Sequence, residues 1–331
     1  MTENRRLAEG AHLTPRAIFL TGRFRSGSTL LWNIFRNVPG CMAYYEPCHD
    51  MLMAHIDCRT APTGSHPGVA SYWDEYLPGL DEVRRRHRAE FGVSRLFLEA
   101  DDEYQPFAEY IEYLIASAGE KLPVLKFNRV DFRLPWLARR FPGAMIIHIW
   151  RNPRDQWYST VRAEPRETWG DPFLATTYEL MTWSCALAPE FPFLFSPIVK
   201  SSYHRHYLLW RLSRLMGQRC AHLSVAFTND LVAQPQRAIE CLLSEAGLQA
   251  DVSRLAGLVV EPKTGGWREF APEEWFLAAE NECDALLDSL GLQNDFGLKS
   301  LADVRRANAD SWAGFGDACI RDAMDHALSL F

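Results

Sequence analysis

An apolar run from Ala17 to Leu20 breaks into Gly22-Arg23-Phe24-Arg25-Ser26-Gly27-Ser28-Thr29, and an amphipathic stretch then continues to Arg36. That succession predicts a strand, a glycine-bearing loop and a helix start. In such a turn the free N–H groups of the first helical turn face the loop, and glycines let an anion approach the backbone. Ser28 and Thr29 add hydroxyl donors, and Arg25 adds charge on a planar fork suited to a three-oxygen group. The loop therefore reads as a receptor for a phosphoryl or sulfuryl oxygen. The plainer alternative is a serine- and glycine-rich turn N-capped by Ser26.

Gly22 and Gly27 have the spacing of the nucleotide loop G-x-x-x-x-G-K-[ST], whose lysine reaches the terminal phosphates and whose hydroxyl holds magnesium. Here the lysine slot is Ser28, and the basic residue comes three positions earlier at Arg25. Triphosphate chemistry also wants a magnesium ligand from a second strand end, and no apolar run closes on a carboxylate pair. A P-loop small-molecule kinase using ATP stays as the alternative.

A second run, Ala144 to Trp150, reads as a buried parallel strand and leads directly into Arg151-Asn152-Pro153-Arg154-Asp155 and then Ser159. Pro153 suits the first turn of a helix. This puts Arg151 at the strand end and Ser159 about two helical turns along.

Together these segments resemble the sulfotransferases, with Arg25-Ser26-Gly27-Ser28-Thr29 closest to the carbohydrate and tyrosyl-protein branch rather than the small-molecule branch with lysine in the loop. The resemblance is carried by motifs between residues 16 and 160, and by layout alone over the next hundred. It implies 3′-phosphoadenosine-5′-phosphosulfate (PAPS) as donor, PAP as product and no metal requirement. It places the 5′-phosphate on Arg23, Ser26, Gly27, Ser28 and Thr29, the sulfuryl group beside Arg25, and the 3′-phosphate on Arg151 and Ser159. Pro262 to Arg268, with Lys263 and Gly265, looks like the loop that closes over the 3′-phosphate in small-molecule sulfotransferases, and equally like an interhelical connector. Asn229-Asp230-Leu231 stands where the family often has Glu-Asp-Leu, a departure given a structural task.

Sulfuryl transfer to a hydroxyl requires the acceptor to lose its proton while the leaving phosphate is supported by positive charge. Glu46 follows Met42 to Tyr45 at the end of a short strand, where open α/β folds bind ligands, and Pro47 is expected to hold its backbone extended. The resemblance likewise implies a glutamate base at this Glu-Pro. A carboxylate near its ordinary pKa is a poor base unless its surroundings raise it, so His49 is a rival. Lys126, ending the run Leu122 to Phe127, is expected to contact the acceptor or the sulfate. Tyr44, Tyr45, Trp157, Tyr158, Trp169, Tyr178 and Trp183 offer flat faces to a sugar or aryl acceptor, or simply fill the core.

Strand and helix patterns alternate along the chain, which predicts an α/β, P-loop-like three-layer fold with a central parallel sheet flanked by helices. The 331 residues read as one domain. Residues 50–100, rich in proline and glycine turns, read as an insertion or lid. Residues 165–220 read as a helical acceptor-side subregion, and 270–331 as a C-terminal helical tail. A hydrophobic share of 47% excludes disorder, and a net charge of −7 argues against a nucleic-acid partner. Cys48, His55 and Cys58 make only an incomplete metal cluster, and scattered cysteines fit a reducing compartment. No stretch is long and apolar enough for an anchor. The related eukaryotic enzymes are commonly membrane-anchored in the Golgi, so the expectation is a soluble, cytoplasmic, bacterial protein acting on a glycan, lipid or small-metabolite hydroxyl. A catalytically inactive nucleotide-binding protein is the alternative from another class.

Overall fold

The computed structural model describes residues 16–62, 66, 68–162, 177–292, 299–316, 321 and 325. Five strands, β1 (Ala17–Thr21), β2 (Cys41–Tyr45), β3 (Leu122–Phe127), β4 (Ala144–Trp150) and β5 (Leu223–Ala226), form one sheet of order β2-β3-β1-β4-β5. Every pairing is parallel, so helices cross between strands and flank the sheet. All five β1 side chains and six of the seven in β4 are buried, which is why these strands are nearly unbroken apolar runs. Phe19 meets Phe127 and Phe141 edge-on at 5.6 and 5.5 Å in the core between β1, β3 and the chain entering β4.

The strand order decides where a ligand can sit. The helix after β1, Ser28–Arg36, leads toward β2 on one side, whereas the helix after β4, Pro153–Val161, leads toward β5 on the other. Between the carboxyl ends of β1 and β4 the connections diverge, leaving the crevice in which open α/β sheets bind their ligands.

Residues 50–100 contain the helices Leu52–Asp57, Leu80–Arg86 and Glu90–Val93 and a 3-10 turn, Asp74–Gly79. They pack along the β2 edge: Tyr76 donates its hydroxyl to the Tyr45 carbonyl at 2.9 Å, and the Tyr72 ring stacks on Tyr45 at 4.2 Å. On the far side, helix Ser202–Cys220 is tied to helix Glu273–Ser289 by Tyr203 to Glu280 at 2.6 Å and Arg211 to Asp284 at 2.7 Å. Of the acceptor-side subregion, residues 163–176, including Trp169, lie outside the described residues. Helices Leu301–Ala307 and Ala309–Trp312 dock through Trp312, whose indole N–H donates to the Leu290 carbonyl at 3.1 Å. Much of the remaining tail is outside the described residues.

Candidate active site

The loop after β1 is built around two glycines. A Cβ on Gly22 would collide with the Ile149 carbonyl oxygen, and one on Gly27, at φ 97°, with the Phe227 ring. Gly27 caps helix Ser28–Arg36 with no side-chain hydrogen bond to the orphan N–H groups of its first turn. Ser26 does not N-cap the helix as in the plainer alternative: Gly27 supplies the left-handed residue that starts the helix, and the Ser26 hydroxyl is buried with no protein partner. Arg23 Nη1 and Arg151 Nε are likewise buried and unpartnered. Donors buried without acceptors are costly and rare. Three of them at the ends of β1 and β4, beside an uncapped helix start, make a set that a bound anion would satisfy.

Arg23 lies over the Trp183 ring at 4.3 Å, and burial pulls its pKa down to about 10, opposed by the charge of Asp131. Asp131 is itself fully buried, accepting from Thr21 Oγ1 at 2.6 Å and Ser213 Oγ at 2.9 Å. Arg25, at φ 64°, donates from Nε to Ser159 Oγ at 2.9 Å. The two anion motifs read from sequence, 134 residues apart, therefore touch.

Asn152 caps helix Pro153–Val161, accepting from the N–H groups of Arg154 and Asp155 at 3.0 and 3.2 Å. That helix carries the 262–268 loop on its surface. Gly265 N–H donates to Asp155 Oδ1 at 2.7 Å, Arg151 Nη2 donates to the Lys263 carbonyl at 3.3 Å, and Gly266 packs on the Tyr158 ring. The Lys263 ammonium turns outward to Glu269 at 3.2 Å, so only its backbone meets Arg151.

Glu46 stands at the end of β2, only 8% exposed. Its backbone is not extended, as Pro47 led us to expect, but left-handed at φ 44°. The N–H of Glu46 still donates to the Lys126 carbonyl at 2.9 Å, after which the chain turns so that three donors converge on the carboxylate. Lys126 Nζ reaches Oε1 at 2.7 Å, Asn128 Nδ2 the same oxygen at 2.9 Å, and Arg129 Nη1 reaches Oε2 at 2.7 Å. Burial alone would push this carboxyl up, but the charges of Lys126 and Arg129 outweigh it and hold the pKa at about 2. Lys126 is fully buried beneath Tyr45, its ammonium 4.1 Å from the ring centroid, and burial lowers its pKa.

His49 is set apart from this cluster. Its Nδ1 faces the Met51 N–H and Asp50 Oδ1, each at 3.1 Å, and its ring meets His55 edge-on at 4.6 Å. Burial, with the nearby Arg129 charge, lowers its pKa to about 4. Its backbone N–H donates to the Glu46 carbonyl at 2.9 Å, but among the described residues no hydrogen bond joins its ring to Glu46, Lys126 or Arg25.

Two participants were not singled out from sequence. Asn128 bridges Ser28 Oγ, at 2.8 Å, to Glu46. Glu179 takes the other arm of Arg129 at 2.6 Å and the Trp183 indole N–H at 2.9 Å. Asn128 lies two residues past the strand-end lysine and could have been flagged by position; nothing local marks Glu179. Of the aromatics, Trp157 and Trp183 are core, whereas Tyr178, at 41% exposure, sits against Phe24 at 5.7 Å on the loop's rim.

Among the described residues no group of three or more His, Cys, Asp or Glu side chains is placed to hold a metal ion, and no helix is long and apolar enough to cross a membrane.

The family model described as "Sulfotransferase family" matches residues 15–189, spanning β1 through β4 and Ser159. Nodulation protein NoeE of Sinorhizobium fredii (strain NBRC 101917 / NGR234) is 30% identical over 175 residues, 52% of this chain and 36% of that protein. The chain thus spans about a third of the length of that relative. Two solved structures align over most of the chain. The sulfotransferase domain of the Synechococcus PCC 7002 olefin synthase has TM-score 0.42 and 16% identity, over 93% of this chain and 98% of that one. The sulfotransferase domain from the curacin biosynthetic pathway has TM-score 0.43 and 14% identity, over 88% and 97%.

Proposed function

The chain belongs to the sulfotransferase family, and on that premise we propose that it moves the sulfuryl group of PAPS to a hydroxyl of a glycan, lipid or small-metabolite acceptor, in the manner of the carbohydrate and tyrosyl-protein branch. The observation that carries the reading is the set of buried, unpartnered donors Arg23 Nη1, Ser26 Oγ and Arg151 Nε at the two strand ends flanking the crevice. When bound, PAPS supplies an activated sulfuryl group and two phosphates. Arg23, Ser26, Gly27, Ser28 and Thr29 would hold the 5′-phosphate, and Arg151 and Ser159 the 3′-phosphate, with Lys263 and Gly265 in the loop docked over that helix. No metal need be invoked for these roles, since guanidinium and backbone donors meet the charge of a sulfuryl group.

Arg25 is assigned to the transferring group, which requires its guanidinium to leave Ser159. Glu46 is assigned as the general base in preference to His49, because its carboxylate stands among the strand-end side chains Lys126 and Asn128, whereas the His49 ring is turned to Met51 and Asp50. A carboxylate held at about 2 is ionised at neutral pH and a weak proton acceptor. Its base strength rises only as a donor is drawn away. Lys126, turning toward the sulfuryl oxygens, is the donor assigned to do so.

A thermal-shift comparison of PAP, ADP and ATP, followed by transfer of labelled sulfate from PAPS into an extract of the native organism, tests the proposal. PAP should stabilise the protein well beyond ADP. Equal shifts reject the Arg151 and Ser159 assignment, and PAP binding without transfer of label indicates an inactive nucleotide-binding protein.

A further inference from the structure

The side-chain amide of Asn128 has both ends committed. Its Oδ1 accepts from the Ser28 hydroxyl at 2.8 Å, and its Nδ2 donates to Glu46 Oε1 at 2.9 Å. A parallel link runs from Thr29, whose Oγ1 is 3.3 Å from the Tyr45 hydroxyl, through the Tyr45 ring to the Lys126 ammonium against its face. Two of the three hydroxyls that the loop offers to an anion, those of Ser28 and Thr29, are thus linked through a neighbour to the Glu46 cluster, whereas Ser26 Oγ is not. A serine hydroxyl has one proton, so Ser28 donates to Asn128 or to a phosphate, not to both.

We propose that Asn128 is a positioning residue coupling occupancy of the phosphate loop to the base: when Ser28 turns its proton to a bound phosphate, Asn128 Oδ1 loses its donor and the amide loosens its hold on Glu46. The inference rests on the donor and base assignments made above. Asn128 is only 6% exposed, so a donor lost from its Oδ1 is not freely replaced by bulk water. A carboxylate relieved of one donor is a stronger proton acceptor. Glu46 is accordingly weak while Asn128 holds Ser28 and strengthens once the donor is seated, which orders donor binding ahead of acceptor deprotonation.

Competition for one proton gives an unusual signature. Asn128→Ala frees the Ser28 hydroxyl, so PAP should bind about two- to tenfold tighter by calorimetry, the worth of one neutral hydrogen bond. A residue that merely shaped the site would weaken PAP, and unchanged or weaker binding overturns the coupling. Should that variant not fold, Ser28→Ala serves. Glu46→Gln should tighten PAP in the parent chain, and less than half of that gain should survive in the Ser28→Ala background, because the path through Asn128 is cut. An equal gain in both backgrounds overturns the coupling. Absence of PAP binding by the parent chain overturns both the donor assignment and the coupling. Tighter PAP binding by Asn128→Ala in a protein that never transfers labelled sulfate upholds the coupling and removes the proposed activity.

Discussion

Arg25 Nε and Ser159 Oγ, at 2.9 Å, join the loop after β1 to the helix after β4 across the crevice where the sheet's connections diverge. Ser159 therefore has two tasks: it is assigned to the 3′-phosphate, and it holds the guanidinium assigned to the transferring group. A hydroxyl hydrogen-bonded to a phosphate contributes about 1.5–3 kcal/mol. Ser159→Ala should thus weaken PAP by roughly ten- to a hundredfold, at 1.4 kcal/mol per decade, and leave ADP unchanged. Calorimetry with both nucleotides checks it, and equal losses would remove Ser159 from the 3′-phosphate site.

The Glu46 cluster makes stability depend on acid. Its pKa in the fold is about 2 against an ordinary 4.5, so its contribution is present in full above 4.5 and is lost as pH falls toward 2. A depression of that size corresponds to about 3 kcal/mol. Urea unfolding between pH 6 and pH 2 should show the loss. Glu46→Gln should flatten that part of the profile, and an unchanged acid limb would mean that Lys126 and Arg129 do not stabilise the charge in solution.

How far the sequence announces this arrangement depends on the range of the interaction. Leu122–Phe127 and Ala144–Trp150 coincide with the predicted strands because a parallel strand buried on both faces is an apolar run. The loop is legible because its glycines mark it in the sequence itself, although the packing that requires them, on Ile149 and Phe227, is distant in the chain. What escaped is long-range. Asn128 acquires meaning from Ser28, 100 residues away, and Arg129 from Glu179, 50 residues on. The left-handed backbone of Glu46 was misread because the local preference imposed by Pro47 yields to three donors at and just past the end of β3.

Gly27 carries both a positive φ of 97° and a Cβ direction blocked by Phe227. Gly27→Ala should destabilise the fold by about 1–3 kcal/mol and reduce PAP binding by displacing the helix start. Adding Phe227→Ala removes the collision but not the strained φ. Thermal melts should show a smaller Gly27→Ala penalty in the Phe227→Ala background than in the parent, whereas a penalty that vanishes there would mean that the backbone carries no strain.

The 262–268 loop is fastened to the helix after β4 by Gly265 N–H to Asp155 Oδ1, at 2.7 Å, and to the end of β4 by the longer contact from Arg151 to the Lys263 carbonyl. A hydrogen bond to a charged acceptor contributes about 1.5–3 kcal/mol, so Asp155→Ala should raise the open population of the loop by roughly ten- to a hundredfold. Lys263 and Arg268 lie in or beside that loop with side chains 62% and 60% exposed, which makes trypsin a direct probe of the opening. When opening and closing are fast relative to cleavage, the rate of cutting follows the open population. Cleavage at these two residues should accelerate in Asp155→Ala and be suppressed by PAP in the parent chain, through Arg151, which donates to the Lys263 carbonyl at 3.3 Å and is assigned to the same phosphate. A loop that served only to connect helices would be cut faster in the variant but would gain no protection from PAP, and that result would leave Lys263 and Gly265 outside the nucleotide site.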